Sequence, residues 1–134
     1  MIVVSDTSPI GSLFLIGQVD LLPLIFGKVV IPKKVYAELM ILESDFDHEL
    51  SAIKSASWLQ IMEVSDPSAV LQFQKILDKG ESEAIALAKE INADFLLIDE
   101  TEGRRVAQEE GLRIIGLIGV LMRAKRIGII EAVK

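Results

Sequence analysis

Short runs of β-branched and aliphatic residues recur along the chain, separated by stretches whose apolar positions return every three or four residues. The first run, residues 2–5, predicts a strand. Ser8 then Pro9 predicts a helix start, with Ser8 as N-cap and Pro9 at the first helical position, and the apolar pattern carries that helix to about Ile16. A second short helix is expected over residues 21–26 and is broken by Gly27. Residues 28–31 predict the next strand, and Pro32 opens a helix over about 33–42. Residues 43–49 are acidic and predict a solvated helix or turn. Residues 58–63 predict a third strand, and Asp66-Pro67-Ser68 a turn leading into a helix. Gly80 precedes an Ala-rich helix over 81–91; residues 95–98 predict the fourth strand. A helix over 102–110 stops at Gly111, residues 113–115 predict the fifth strand, and a last helix spans about 117–126.

Strands alternating with helices predict βαβ units, hence an α/β fold: a three-layer α/β/α sandwich around a mostly parallel five-stranded sheet. Continuously apolar strands agree with a sheet covered on both faces. Such sheets bind ligands at the carboxyl ends of their strands.

The 134 residues suit one domain spanning 1–134, and 51% hydrophobic content with a mean hydropathy of +0.45 predicts a substantial core. No apolar run reaches the ~20 residues that span a bilayer, and the start of the chain has no basic leader pattern. No membrane partner and a cytoplasmic location are therefore expected. Cysteine is absent, which excludes disulfides and thiolate metal sites. A net charge of −6 argues against non-specific, electrostatically driven nucleic-acid binding. It argues less against a metallonuclease, whose cations offset clustered carboxylates.

Among twenty acids, a few occupy informative places in the strand–helix order. Asp6 and Asp99 stand just past the ends of two strand-like runs, while Glu38 and the pair Glu81/Glu83 lie on helical segments. A carboxylate beside apolar strand ends needs a partner, and a hard divalent cation such as Mg2+ or Mn2+ is one. Metal-assisted phosphodiester hydrolysis uses such a cluster to activate water and stabilise the leaving oxygen.

Val4-Ser5-Asp6-Thr7-Ser8-Pro9-Ile10 resembles the start of PIN domains, where an Asp-Thr-Ser-type motif ends the first strand. Val35-Tyr36-Ala37-Glu38-Leu39 resembles the second PIN acid on its helix, Gly80-Glu81-Ser82-Glu83-Ala84 the third, and Leu97-Ile98-Asp99-Glu100 the fourth. Arg104, Arg105 and Ala107 followed by Ile115-Gly116-Leu117-Ile118-Gly119-Val120-Leu121 resemble a prokaryotic, VapC-like PIN subgroup related to toxin–antitoxin ribonucleases. Leu117 stands where that subgroup often has Thr, and the chain ends sooner than many relatives, a departure that bears on partner binding more than on catalysis.

The resemblance implies an Mg2+- or Mn2+-dependent endoribonuclease with Asp6, Glu38, Glu83 and Asp99 as catalytic acids and metal ligands. Glu81 is an additional metal ligand in this set. It also implies an RNA substrate and a small antitoxin protein as partner; the apolar helices of residues 9–26 read either as a homodimer or antitoxin surface or as plain core. Glu81 and Glu83, two residues apart, lie ~200° apart on a helix and cannot share a face if both are helical; Glu83 is preferred because the residues after it fit the family pattern. Ser8 is expected to contact substrate, and Arg104 and Arg105 either grip phosphate or pair with Glu109 or Glu110. Each acid also has a structural role open to it: Asp6 as helix cap, Glu38 as a surface acid, Glu81 or Glu83 at a helix N-terminus. Arg123, Lys125 and Arg126 are accounted for by the end of a helix, His48 lies in an exposed acidic stretch, and Met40, Met62 and Met122 are expected in the core. The alternative is a catalytically inactive regulatory module of the same fold that binds nucleic acid or protein. A phosphatase using Asp6 as nucleophile ranks last, because Ser8 stands where such enzymes carry a second Asp.

Overall fold

The computed structural model describes residues 1–45 and 53–128; His48 and the rest of 46–52 lie outside the described residues, as do 129–134. Among the described residues are five strands, β1 (Val3–Ser5), β2 (Val29–Pro32), β3 (Leu59–Met62), β4 (Phe95–Leu97) and β5 (Ile114–Ile115). The helices are α1 (Thr7–Leu15), α2 (Leu21–Phe26), α3 (Lys33–Asp45), α4 (Pro67–Phe73), α5 (Lys79–Glu90), α6 (Thr101–Glu109) and α7 (Leu117–Arg126). Every strand pairing is parallel, in the order β3-β2-β1-β4-β5.

The period-2 alternation of the strands divides the core in two. Val3, Val29, Ile31, Leu97 and Ile115 face one side and pack with Ile10 and Leu13 of α1, Leu22 of α2, Leu39 of α3 and Val120 of α7. Val4, Val30, Leu96 and Ile98 face the other, against Ile85 and Leu87 of α5 and Val106 of α6. Helices on both faces make the three-layer α/β/α sandwich that the apolar strands imply. Met40 and Met62 pack against the core, whereas Met122, expected there too, is 47% exposed on α7.

Two local features depart from expectation. The first helix begins at Thr7 with Asp6 as N-cap, so Ser8 and Pro9 both lie inside its first turn. Proline is tolerated there because the amide it lacks has no intrahelical partner at that position. Glu43, expected to be solvated, is buried: its carboxylate accepts the Ile53 amide at 2.6 Å and the Lys54 amide at 3.3 Å. Two backbone donors satisfy the charge away from water, so the acid ties α3 to the chain ten residues later.

Sequence order runs outward from β1 in both directions along the sheet, through β2 and β3 on one side and β4 and β5 on the other. The helices after β1 and β4 must leave on opposite faces, which opens a crevice at the carboxyl ends of these two strands. Asp6 is the first residue past β1, and its amide donates to the Leu97 carbonyl at 2.9 Å, locking it to β4 at that crevice.

Candidate active site

At the crevice, a recess of about 250 Å3 is lined by Asp6, Thr7, Ser8, Glu38, Asp78, Glu81 and Glu100. Five of the seven are carboxylates brought from the end of β1, the middle of α3, the start of α5 and the turn before α6. Asp6 is only 3% exposed, and its side chain makes no capping hydrogen bond to α1. The Thr7 hydroxyl donates to Glu38 Oε1 at 2.7 Å, fixing one acid of the recess. Gly80 faces the same group: a Cβ there would overlap the Glu38 carboxylate, so the missing side chain leaves room for that carboxylate in the recess.

Glu81 is held from behind. Asp78 is the N-cap of α5 and accepts the Glu81 amide at 2.8 Å, while Glu81 Oε1 reaches back toward the Asp78 amide, forming a capping box. The second oxygen, Oε2, is buried and has no hydrogen-bond partner among the described residues. It lies 2.9 Å from where a Cβ on Gly103 would stand, so α6 too is cut away to make room for it. An orphaned buried acceptor needs a positive partner, because its desolvation is otherwise uncompensated.

The same strain shows in the ionisation of the group. Burial pushes the Asp6 carboxyl up from 3.8 to about 7; the Thr7 amide draws it back, and Glu81, Asp78 and Glu38 raise it further. Glu81 is raised as well, first by burial and then by Asp78. Among the described residues no three acids already converge as a metal cage. Even so, a hard-oxygen donor set with one unpartnered buried oxygen and mutually repelling charges fits a divalent cation. Asp6, Glu38 and Glu81 are the residues that would hold it.

Other residues expected at this site stand elsewhere. Both Glu81 and Glu83 are helical, so their ~200° separation turns Glu83 away. It lies in a neighbouring groove with Lys33, Lys34 and Lys79, where it accepts the Lys34 amide at 3.1 Å. Asp99 follows β4, yet its Oδ1 accepts the Leu117 amide at 2.7 Å and supplies the cap that Gly116 has no side chain to give. Asp99 thus faces a second recess, with Arg104, on the far side of Glu100. Arg105 is bound in ion pairs to Glu102 and Glu109 at 2.9 Å. Arg104 has no such pair among the described residues. Ser8, expected to contact substrate, lines the acidic recess.

Sequence reasoning missed Asp78 and gave Glu100 no part in the site; Glu100 is exposed and lines the recess. The Asp78-x-x-Glu81 capping box was the signal for the first, since it places Asp78 beside Glu81 before any fold is known.

No helix among the described residues is long and apolar enough to cross a membrane. No curated protein matches the chain significantly. A family model described as a PIN domain matches residues 2–134. PIN domains are generally nucleases that use divalent metal ions on nucleic-acid substrates, a chemistry suited to acids gathered at the strand ends. With that match running from the second residue to the last, over a parallel sheet whose central strand ends at the buried Asp6, the chain belongs to the PIN-domain family.

Proposed function

We propose that the protein is an Mg2+- or Mn2+-dependent endoribonuclease and the VapC-like toxin of a type II toxin–antitoxin pair, acting in the cytoplasm. The observation that carries the catalytic part is the unpartnered, buried Glu81 Oε2 within a carboxylate group whose central member, Asp6, is raised to about 7. The toxin reading rests on the sequence resemblance of Arg104, Arg105, Ala107 and residues 115–121 to that subgroup.

In this reading Asp6, Glu38 and Glu81 are the ligands. The cation, when bound, supplies Lewis acidity that makes water more acidic and offsets charge developing on phosphate oxygens. Thr7 orients Glu38 through its hydroxyl, and Asp78 fixes Glu81 through its backbone. The Ser8 hydroxyl, which lines the recess, would donate to a phosphate oxygen. The exposed carboxylates of Glu100 and Asp78 are the available acceptors for the proton released by the attacking water. Asp99 orders the start of α7, and Glu83 anchors the start of α3. Leu15, Ile16 and Leu24, exposed on α1 and in the segment up to and including α2, are the surface proposed for a second copy or a small antitoxin.

The test is cleavage of a panel of structured and single-stranded RNAs in Mg2+ or Mn2+, with EDTA and Asp6→Asn as controls. Cleavage that needs metal and is lost in Asp6→Asn is expected. Cleavage equal in both proteins, or no cleavage of any RNA together with no metal binding, would reject the reading. The second outcome would leave the non-catalytic binding module.

A further inference from the structure

We infer that the recess beside α7 seats phosphates of a single-stranded RNA whose scissile phosphate lies over Asp6 and Glu81; this rests on the nuclease reading above. The recess is about 500 Å3, the size of a nucleotide rather than of a simple ion. Arg104, Arg123 and Arg126 line it, against a single carboxylate among the described residues, Asp99. That carboxylate is already engaged by the Leu117 amide. In a chain of net charge −6, three guanidiniums on one concave surface are a local reversal of sign.

These arginines differ from their neighbours. Arg105 is neutralised by Glu102 and Glu109, whereas no ion pair among the described residues involves Arg104, Arg123 or Arg126. Arg123 stacks on the Phe95 ring, 4.9 Å from its centroid, which holds the guanidinium plane while leaving its N–H edge free to donate. Arg123 and Arg126 are three residues apart, so they share a face of α7. Lys125, equally exposed and equally cationic, stands on another face and does not line the recess. The end of a helix attracts cations of any register; selection of one face needs a further cause. Planar forks without acid partners suit phosphodiester oxygens, which they bind bidentately. Exposed Ile118 and Met122 on the same wall offer an apolar surface for a base.

The two recesses are linked by adjacent residues: Asp99 lines the basic one and Glu100, the next residue, lines the acidic one. A strand bound over the carboxylates is thereby within one residue's reach of the arginine-lined wall.

Arg126→Glu and Lys125→Glu make the test. Both change the net charge equally, at adjacent exposed positions in the same last turn, so they share any effect on helix stability or on overall charge. Binding of a fluorescein-labelled 20-nucleotide single-stranded RNA is followed by anisotropy in EDTA, where nothing depends on the carboxylates doing chemistry. Arg126→Glu is expected to weaken binding by about tenfold and to flatten log K against log salt by ~0.7 for each phosphate it no longer neutralises. Lys125→Glu is expected to stay within about twofold of wild type. Arg126→Gln, which removes the charge without reversing it, repeats the comparison should the reversal disturb folding. Equal weakening by both reversals, or no change in either, would overturn the inference. Metal-dependent cleavage is measured on the same proteins. Its absence with the Arg126 effect intact would sink the nuclease reading alone; its persistence without that effect would sink the basic recess alone.

Discussion

Burial and three neighbouring carboxylates raise Asp6 to about 7, so at neutral pH its charge opposes folding. Between about pH 4 and 7 the folded protein keeps a proton that the unfolded chain, at 3.8, has released. The folded state binds more protons there, so stability falls as pH rises through that window and stays low above it, by about 4 kcal/mol at most. Asp6→Asn carries no such penalty. In EDTA at pH 8 its melting temperature is expected to exceed that of wild type, and the gap should narrow toward pH 4. Saturating Mn2+ at pH 8 should then raise the wild-type melting temperature and leave the variant nearly unmoved. A variant less stable than wild type at pH 8 in EDTA would show that Asp6 has a stabilising partner in the protein itself. The position of Asp6 was legible, because the end of an apolar strand is a place a carboxylate needs a reason to occupy. Its freedom from the α1 cap was not, since Asp at an N-cap normally accepts a backbone amide.

The α5 helix shows where periodicity informs and where it stops. Spacing alone sets Glu81 and Glu83 on different faces. Which face meets the crevice depends on the neighbours α3 and α6, and these place Glu81 inside and Glu83 beside Lys34. Gly80 tests that packing. Gly80→Ala pushes a methyl group into the Glu38 carboxylate, the movable end of a flexible side chain. Stability in urea is therefore expected to hold or rise by about 0.4–1 kcal/mol. If Glu38 is a metal ligand as proposed, cleavage should drop by about tenfold or more, because that ligand is displaced. Loss of both together would mean that Gly80 serves the fold rather than the site. At α7, Asp99 supplies the cap that Gly116 lacks. Asp99→Ala should lower unfolding free energy by about 1 kcal/mol, and Asp99→Asn, which keeps an acceptor, should recover most of it. An Asp99→Ala protein as stable as wild type would remove that role. The strand-end position of Asp99 was readable; its partner eighteen residues on was not, and neither was the burial of Glu43 by amides ten residues away.

Across the whole molecule the layout was legible because its cause is simple. Strands covered on both faces are continuously apolar, and Gly27, Pro32 and Gly111 mark where elements break. What the pattern could not supply is the division of charge. Among the described residues the acidic recess gathers five carboxylates, and the α7 recess holds three arginines against one acid. Net charge averages the two and so hides the feature by which an acidic protein can attract a polyanion. The most direct measurement is metal-dependent RNA cleavage by wild type, Glu81→Gln and Glu83→Gln side by side in Mn2+. If the crevice at the ends of β1 and β4 is the catalytic centre, Glu81→Gln loses about a hundredfold or more and Glu83→Gln stays near wild type. The reverse order, or equal activity in all three, would contradict it.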